Sequence, residues 1–296
     1  MVPNYLVEHG FIGVKRAKRG IYIFNRNDRL IGRSLDCYGE WCESEIGLLQ
    51  NFLTSSDTVV DVGANIGTHT VAFASMVGNS GSVVAFEPQR LSFQLLCGNV
   101  AINGLTNVHC LQKAAGDLND RVKIPMISPH EPHNFGAVSI GDGSAGEDVE
   151  IITIDSLQMK SCRLIKIDVE GMEHQVIKGG YATIAAYRPV LFVENNTIDG
   201  ASRTIAAILD AGYKAWWHLA LYYNSANFFN NQENVFAKYQ PEANLLCMPD
   251  NGDPKIPELI ECIGVNDNWR MARDRGIAAG NPLFSTAYRK QAAPGR

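Results

Sequence analysis

Four apolar runs in this chain end on a carboxylate. Thr58-Val59-Val60 leads into Asp61, Val83-Val84-Ala85-Phe86 into Glu87, Leu164-Ile165-Lys166-Ile167 into Asp168, and Val190-Leu191-Phe192-Val193 into Glu194. Runs of this length read as buried strands, and helical patterns between them imply a mainly parallel sheet. Ligands of such a sheet sit beyond the carboxyl ends of its strands. The four acids should therefore converge on one crevice. Crowded carboxylates repel one another and need partners, so a ligand bearing positive charge fits them.

The first run continues as Asp61-Val62-Gly63-Ala64-Asn65-Ile66-Gly67-Thr68. This reads as strand, tight loop and helix start, in which glycine permits close backbone approach and the helix offers free N–H groups. A dinucleotide loop would place glycine at positions 63, 65 and 68, but the chain has Gly63, Asn65 and Thr68. Asp61 would also repel a pyrophosphate. S-adenosylmethionine (SAM) suits the loop better, because it carries a sulfonium, an ammonium and only one carboxylate. Glu87 follows Gly67 by 20 residues, the place of an acid that accepts hydrogen bonds from ribose hydroxyls. A structural alternative for Glu87 is an acid favoured by the dipole of the following helix.

A methyl group leaves such a donor by in-line displacement, which needs orientation and, where the acceptor must lose a proton, a base. The candidates for that base are Asp168, Glu170, His174 and Glu194. Asp168 and Glu170 share one side if the segment stays extended. His174 joins them only if the next helix begins early. Glu170 could equally cap that helix, and His174 could face solvent. Lys166, in an otherwise apolar strand, requires a buried acid as partner, Asp168 or a neighbour. Asp168, Glu194 and Asn195 together offer three oxygen ligands for Mg²⁺ or Ca²⁺. His130 and His133 lie in a Pro-rich loop and are further ligand or base candidates. Trp216, Trp217, Tyr222, Tyr223, Phe228 and Phe229 combine core packing with a potential stacking surface. Asn224, Asn227, Asn230 and Asn231 suit either sugar hydroxyls or turns.

The elements that must position these groups follow from periodicity. Ile21–Phe24 and Leu30–Arg33 predict a hairpin around Asn25–Asp28, and Glu45–Leu53 predicts a helix. Strands are expected at 58–62, 82–87, 107–112, 163–168 and 190–194, and later at 214–219 and 244–248. Helices are expected at 68–77, 90–102, 172–179 and 202–211. Residues 118–150, rich in Pro and Gly, form a long insert with one hairpin and a strand at 149–154, and Asp155 or Ser156 caps a short helix. In the tail only Glu258–Ile263 looks helical. The expected organisation is an N-terminal unit at 1–55, a cofactor-binding domain at 56–250 and a tail at 251–296.

With 296 residues, 46% hydrophobic content and a net charge of −5, the chain can build a large core but no broad basic surface for nucleic acid. Seven cysteines without a C-x-x-C favour reduced thiols, and no apolar run spans a bilayer, so a cytoplasmic protein is expected.

Several segments together resemble the FkbM-type SAM-dependent methyltransferases. They are Asp61 to Gly67, Phe86-Glu87-Pro88, Ala115-Gly116-Asp117, Thr153-Ile154-Asp155-Ser156-Leu157 and Ile165-Lys166-Ile167-Asp168-Val169-Glu170-Gly171, preceded by Tyr38-Gly39-Glu40-Trp41. The likeness covers about residues 36–195. It implies a doubly wound, seven-stranded sheet with a reversed final strand, SAM as donor and a sugar or polyketide hydroxyl as acceptor. It implies cofactor contacts at Tyr38, Glu40, Asp61, Gly63, Ala64, Asn65, Gly67, Thr68, Glu87, Pro88, Ala115, Asp117 and Asp168. Two other readings compete. An amino-group methyltransferase acting on nucleic acid would carry a Pro-Pro-aromatic step where this chain has Asp168-Val169-Glu170-Gly171. A non-catalytic SAM-binding protein would have little use for intact strand-tip acids.

Overall fold

The structure is a computed structural model that describes residues 4–137, 146–249, 256 and 259–281. Three short strands open the chain: β1 (Val7–His9), β2 (Ile12–Ala17) and β3 (Gly20–Asn25), all antiparallel. Helices α1 (Ile31–Tyr38) and α2 (Glu43–Gln50) follow. The expected hairpin at 21–33 is thus only half correct. Its second arm is helical because the Asp28 carboxylate accepts hydrogen bonds from the Leu30 and Gly32 N–H groups and starts α1 there.

The alternating part runs β4 (Thr58–Val62), α3 (Thr68–Val77), β5 (Ser82–Phe86), α4 (Arg90–Ile102) and β6 (Val108–Leu111). A small sheet of β7 (Ala114–Ala115), β8 (Asp120–Ile124) and β9 (Glu147–Ile152) follows, in which β8 and β9 form the hairpin of the Pro- and Gly-rich insert. A 3₁₀ turn at Ile154–Leu157 starts on the Thr153 side chain, while Asp155 accepts from the N–H groups of Ala182 and Thr183. Then come β10 (Leu164–Ile167), α5 (Glu173–Lys178), α6 (Tyr181–Tyr187), β11 (Val190–Glu194), α7 (Ile198–Asp210), β12 (Tyr213–Ala220), β13 (Glu242–Pro249), β14 (Ile260–Glu261) and α8 (Trp269–Ala278).

The main sheet has eight strands in the order β14-β12-β13-β11-β10-β4-β5-β6. Strands β6, β5, β4, β10 and β11 are parallel, and β13 runs antiparallel between β11 and β12. This is the doubly wound sheet with a reversed last strand, enlarged by the two-residue edge strand β14. Ile260–Glu261 pairs with Trp216 and Trp217 of β12, so the described part of the predicted tail helix, 259–263, holds a two-residue strand and no helix, and residue 258 lies outside the described residues. Helix α8, which the sequence pattern did not announce, starts where the Asn268 side chain accepts from the Arg270 and Met271 N–H groups.

Strand order turns at the β4–β10 junction, where chain progress splits to opposite sides and leaves a crevice at the carboxyl ends. The core on one face joins Val60, Ile165, Leu191, Trp217 and Leu245. The N-terminal unit packs onto α3 and α4 through Phe24, Leu35, Ile66, Val71 and Leu95. Among the described residues no helix is long and apolar enough to cross a membrane.

Candidate active site

The loop after β4 is fixed from below. The N–H groups of Gly63 and Ala64 donate to the Phe86 carbonyl at 3.0 and 2.8 Å. Gly63 adopts φ +78°, and a Cβ there would stand 1.7 Å from the Asp168 carbonyl oxygen, so only glycine fits between the tips of β4 and β10. Asn65, also left-handed at φ +50°, donates its N–H to Glu87 Oε2 at 2.8 Å, while Glu87 Oε1 accepts from the Gln89 N–H at 2.8 Å. Glu87 is thereby pinned at the mouth of a cavity of about 580 Å³ with apolar walls from Phe86, Pro88, Ile124, Phe135 and Met172. Burial raises the Glu87 carboxyl to about 7 against its two backbone hydrogen bonds, and the charges of Asp168 and Asp61 push the same way.

An adjoining crevice of about 840 Å³ shares Gly63, Asn65, Glu87, Gly136, Asp168 and Glu170 with that cavity. Its chemistry centres on Lys166. Parallel register places Lys166 beside Asp61, and the ammonium, 3% exposed, lies 3.0 Å from Asp168 and 3.8 Å from Asp61. Burial opposes the charge on Lys166, but the two carboxylates outweigh it and raise the amine. Burial likewise acts to raise Asp168, yet the Lys166 charge and a hydrogen bond from Glu194 hold it below the usual carboxylate range.

Oxygen atoms of Asp168, Glu170 and Glu194 lie within 4.8 Å of one another. Burial and the neighbouring carboxylates raise Glu170 to about 8 and Glu194 well above its ordinary value. Glu242, the first residue of β13, completes the cluster. It accepts hydrogen bonds from Tyr222 and from Asn196, the latter at 2.9 Å, and burial raises it to about 7. Behind them His69 Nε2 stands 3.2 Å from Glu45, whose other oxygen accepts from Asn244. Burial lowers His69 to about 4 and raises Glu45 to about 7, so His69 is a neutral imidazole at physiological pH. Tyr222 closes the crevice by stacking on Trp41, with ring centroids 5.3 Å apart.

Most residues expected at the cofactor line these two spaces: Gly63, Ala64, Asn65, Thr68, Glu87, Pro88, Ala115 and Asp168, with Gly67 capping α3 behind them. Others stand elsewhere. Asp61 lies beneath the crevice, because β4 runs one residue further and the carboxylate turns to Thr70 and Lys166. Tyr38 and Glu40 hold the segment after β12: Tyr38 donates to the Glu233 carbonyl, and Glu40 accepts from Asn224 and the Phe228 N–H. Asp117 is exposed and lines neither space.

Of the expected bases, Asp168, Glu170 and Glu194 meet, but not through an extended segment. Glu170 has φ +56°, so the chain folds back and Glu173 accepts from the Gly171 N–H at 2.9 Å. His174 sits on α5 among Asp117, Lys178 and Arg203, away from the crevice. Asn195 points to the opposite side of β11 from Glu194 and donates to the Ala201 carbonyl, so Glu170 takes its place in the candidate oxygen set. His130 and His133 line neither space, and Trp217 is core. The asparagine run is turn chemistry: Asn227 ties Asn224 to Asn231, and Asn231 donates to the Cys37 carbonyl. Glu242, Asn196, Glu45 and His69 escaped the sequence reading. The signal for Glu242 was the Pro-Glu step before an apolar run, since a reversed strand brings its amino end to this edge.

Residues 61–215 match the Methyltransferase FkbM domain. The chain belongs to the FkbM methyltransferase family. Hexuronic acid methyltransferase AglP of Haloferax volcanii is 31% identical over 153 residues, 50% of this chain and 59% of AglP, so the match spans under two thirds of that relative. The crystal structure of a methyltransferase FkbM from Methylobacillus flagellatus KT aligns at 17% identity and a TM-score of 0.41, over 65% of this chain and 44% of that one. Trm5b from Pyrococcus abyssi aligns at 12% identity and a TM-score of 0.43, over 81% and 56% of the two chains. Within the FkbM domain fall the glycine loop, Glu87, Lys166, Asp168, Glu170 and Glu194, while Glu242 and the Trp41–Tyr222 stack lie outside it.

Proposed function

We propose that this FkbM-family chain transfers a methyl group from SAM to a hydroxyl of a sugar or a polyketide-like compound. The observation that carries the reading is the joining of two unlike spaces at Gly63, Asn65, Glu87, Gly136, Asp168 and Glu170. One space has apolar walls and a pinned acid, as an adenosine requires. The other is polar and acidic, as a cation and a hydroxyl acceptor require. Glu87 would accept from the ribose hydroxyls, and the Gly63–Asn65 loop and Asp168 would hold the methionine end. When bound, SAM supplies an electrophilic methyl carbon.

The protein's share of the reaction is orientation and proton removal. Asp168 is ionised and engaged by Lys166, so it attracts cationic groups but is a weak base. Glu170, raised to about 8, has the better matched basicity for an acceptor hydroxyl. Asp168, Glu170 and Glu194 would also serve as oxygen ligands if a divalent cation takes part. The name of AglP supports a sugar acceptor, and only the sugar class is carried over from it.

Calorimetry with SAM on the purified protein and on Glu87→Ala tests the cofactor half. Wild type should bind, and the variant should lose about 10- to 100-fold in affinity, the worth of a charge-assisted hydrogen-bond pair. No heat with SAM would end the proposal. Labelled SAM with a panel of glycans and natural products tests the acceptor half through mass gain by one CH₂.

A further inference from the structure

Part of the apolar cavity's wall comes from outside the main sheet. Residues 125–137 follow β8, and this segment places the buried ring of Phe135 in the wall together with Pro88 and Met172. The Phe135 carbonyl accepts from the Gln89 side-chain amide at 3.4 Å. Gly136 lines the cavity and the crevice alike, and a Cβ there would stand 3.2 Å from the Asn65 side-chain amide in the glycine loop. A segment of this length with no strand or helix of its own needs anchors to hold a ring in one place.

The N-terminal unit supplies those anchors. The side-chain amides of Asn25 and Asn27 both donate to the Pro129 carbonyl, at 3.1 and 2.9 Å. Asn25 is itself fixed, because its side-chain oxygen accepts from the Asn27 N–H at 2.9 Å. Further along, the Arg29 N–H donates to the His133 carbonyl at 2.9 Å, and the His133 N–H donates to the Asn27 carbonyl at 3.1 Å. The two segments thus pair as a parallel bridge at Asp28 and His133. The His133 ring then meets the Phe135 ring edge-on, with centroids 5.8 Å apart. A continuous path runs from Asn27 through His133 to the ring in the cavity wall. Its hydrogen bonds join amides to carbonyls, so they do not depend on pH. Asn25 and Asn27 lie outside the matched family domain, residues 61–215.

Resting on the methyltransferase reading above, we propose that Phe135 packs against the adenine of SAM and that Asn25 and Asn27 are positioning residues for the cofactor, holding the 125–137 segment so that Phe135 and Gly136 close over it. An aromatic wall suits a purine, which offers a flat π-face on which a ring can lie. The N-terminal unit then completes the cofactor site as well as covering α3 and α4. Cofactor binding and the pairing of the segment with residues 25–29 support each other, and by linkage each strengthens the other by the same factor.

The test uses the full chain and S-adenosylhomocysteine, which carries the same adenosine and has no methyl group to transfer. Calorimetry on a double-mutant cycle of Asn27→Ala and Phe135→Ala separates positioning from general damage. Phe135→Ala should weaken binding about 10- to 100-fold, as expected for a base losing its aromatic neighbour. Asn27→Ala should weaken it about 3- to 10-fold, the effect of one hydrogen bond. In the Phe135→Ala background the same change should cost less than about twofold. Losses that multiply in the double variant, or an affinity unchanged in either single variant, overturn the inference. Amide hydrogen exchange on the unaltered protein gives a second readout that needs no variant to fold. Saturating S-adenosylhomocysteine should slow exchange several-fold at the Arg29 and His133 amides. Unchanged exchange at both overturns the inference and leaves the methyltransferase reading standing. Failure of the unaltered protein to bind the nucleoside sinks that reading first, and this one with it.

Discussion

Replacing Lys166 by Met removes the one Lys or Arg that lines the acidic crevice among the described residues, while nearly conserving volume. The ammonium sits 3.0 Å from Asp168 and 3.8 Å from Asp61. At an effective dielectric of about 20, the two attractions are about 5.5 and 4.4 kcal/mol. The Asp168 side chain is 35% exposed, so water screens much of the first, whereas Asp61 is fully buried and feels the second almost whole. Against these stands the desolvation of the ammonium, several kcal/mol, which the variant no longer bears. The net loss should be about 3–5 kcal/mol, the cost of stranding buried charge. The loss should depend on pH with a definite sign. In the native protein Asp168 has a lowered pKa, so its pairing adds stability that is present above the unfolded value and fades only in acid. Without Lys166 the charge that holds Asp168 low is gone, and burial then favours its protonated form. The gap between wild type and variant should therefore be wide at pH 7.5 and shrink by pH 4.5. Urea unfolding at the two pH values measures it. A loss under about 1 kcal/mol at pH 7.5, or a gap equal at both pH values, would refute the assignment of Lys166 as the counter-ion of the site.

Three further outcomes follow from the same geometry. Gly63→Ala puts a Cβ against the Asp168 carbonyl at a left-handed φ, and should cost about 2–5 kcal/mol in melting experiments and abolish SAM binding; a native-like melting curve contradicts it. Glu170→Gln should slow methyl transfer by about 10²–10⁴-fold, more than it weakens SAM binding, and a rate that falls only in step with SAM affinity removes Glu170 as the base. Glu87 and Glu242 are raised to about 7 by burial, so the stability they add is present below about pH 4.3 and is lost as pH rises through about 7. The melting temperature of the ligand-free protein should therefore be higher at pH 5.5 than at pH 8, and the reverse trend would show these carboxylates to be ionised at little cost.

The parallel half of the sheet could be read from the chain because its inner strands β4, β5, β10 and β11 are largely buried and each apolar run stops at a polar residue. Val59, Val60 and Val62, or Leu164 to Ile167, leave little choice of period or location. The tips of β4, β5, β10 and β11 were legible for the same reason, and with them Gly63, Glu87, Asp168 and Glu194. The antiparallel side was harder. Whether Ile260–Glu261 forms a strand depends on the free edge of β12, a partner some forty residues away, and not on local preference. Asp28 decided α1 through a side-chain hydrogen bond that hairpin patterns do not register. Tyr38 and Glu40 lie next to the crevice in sequence terms, but their partners are almost 200 residues downstream, which no spacing rule reveals.

Those long-range ties also govern how specificity can change. Glu40 grips Asn224 and Phe228, Tyr38 grips the chain at Glu233 and Val235, and Trp41 lies on Tyr222. One wall of the crevice is thus a composite of two segments almost 200 residues apart, tied to each other by hydrogen bonds and a ring stack. A chimera that imports only residues 221–242 from a relative would arrive without its anchor, and one that imports only residues 30–41 would grip a foreign loop. On the proposed reading, a change of acceptor preference would require both segments to change together.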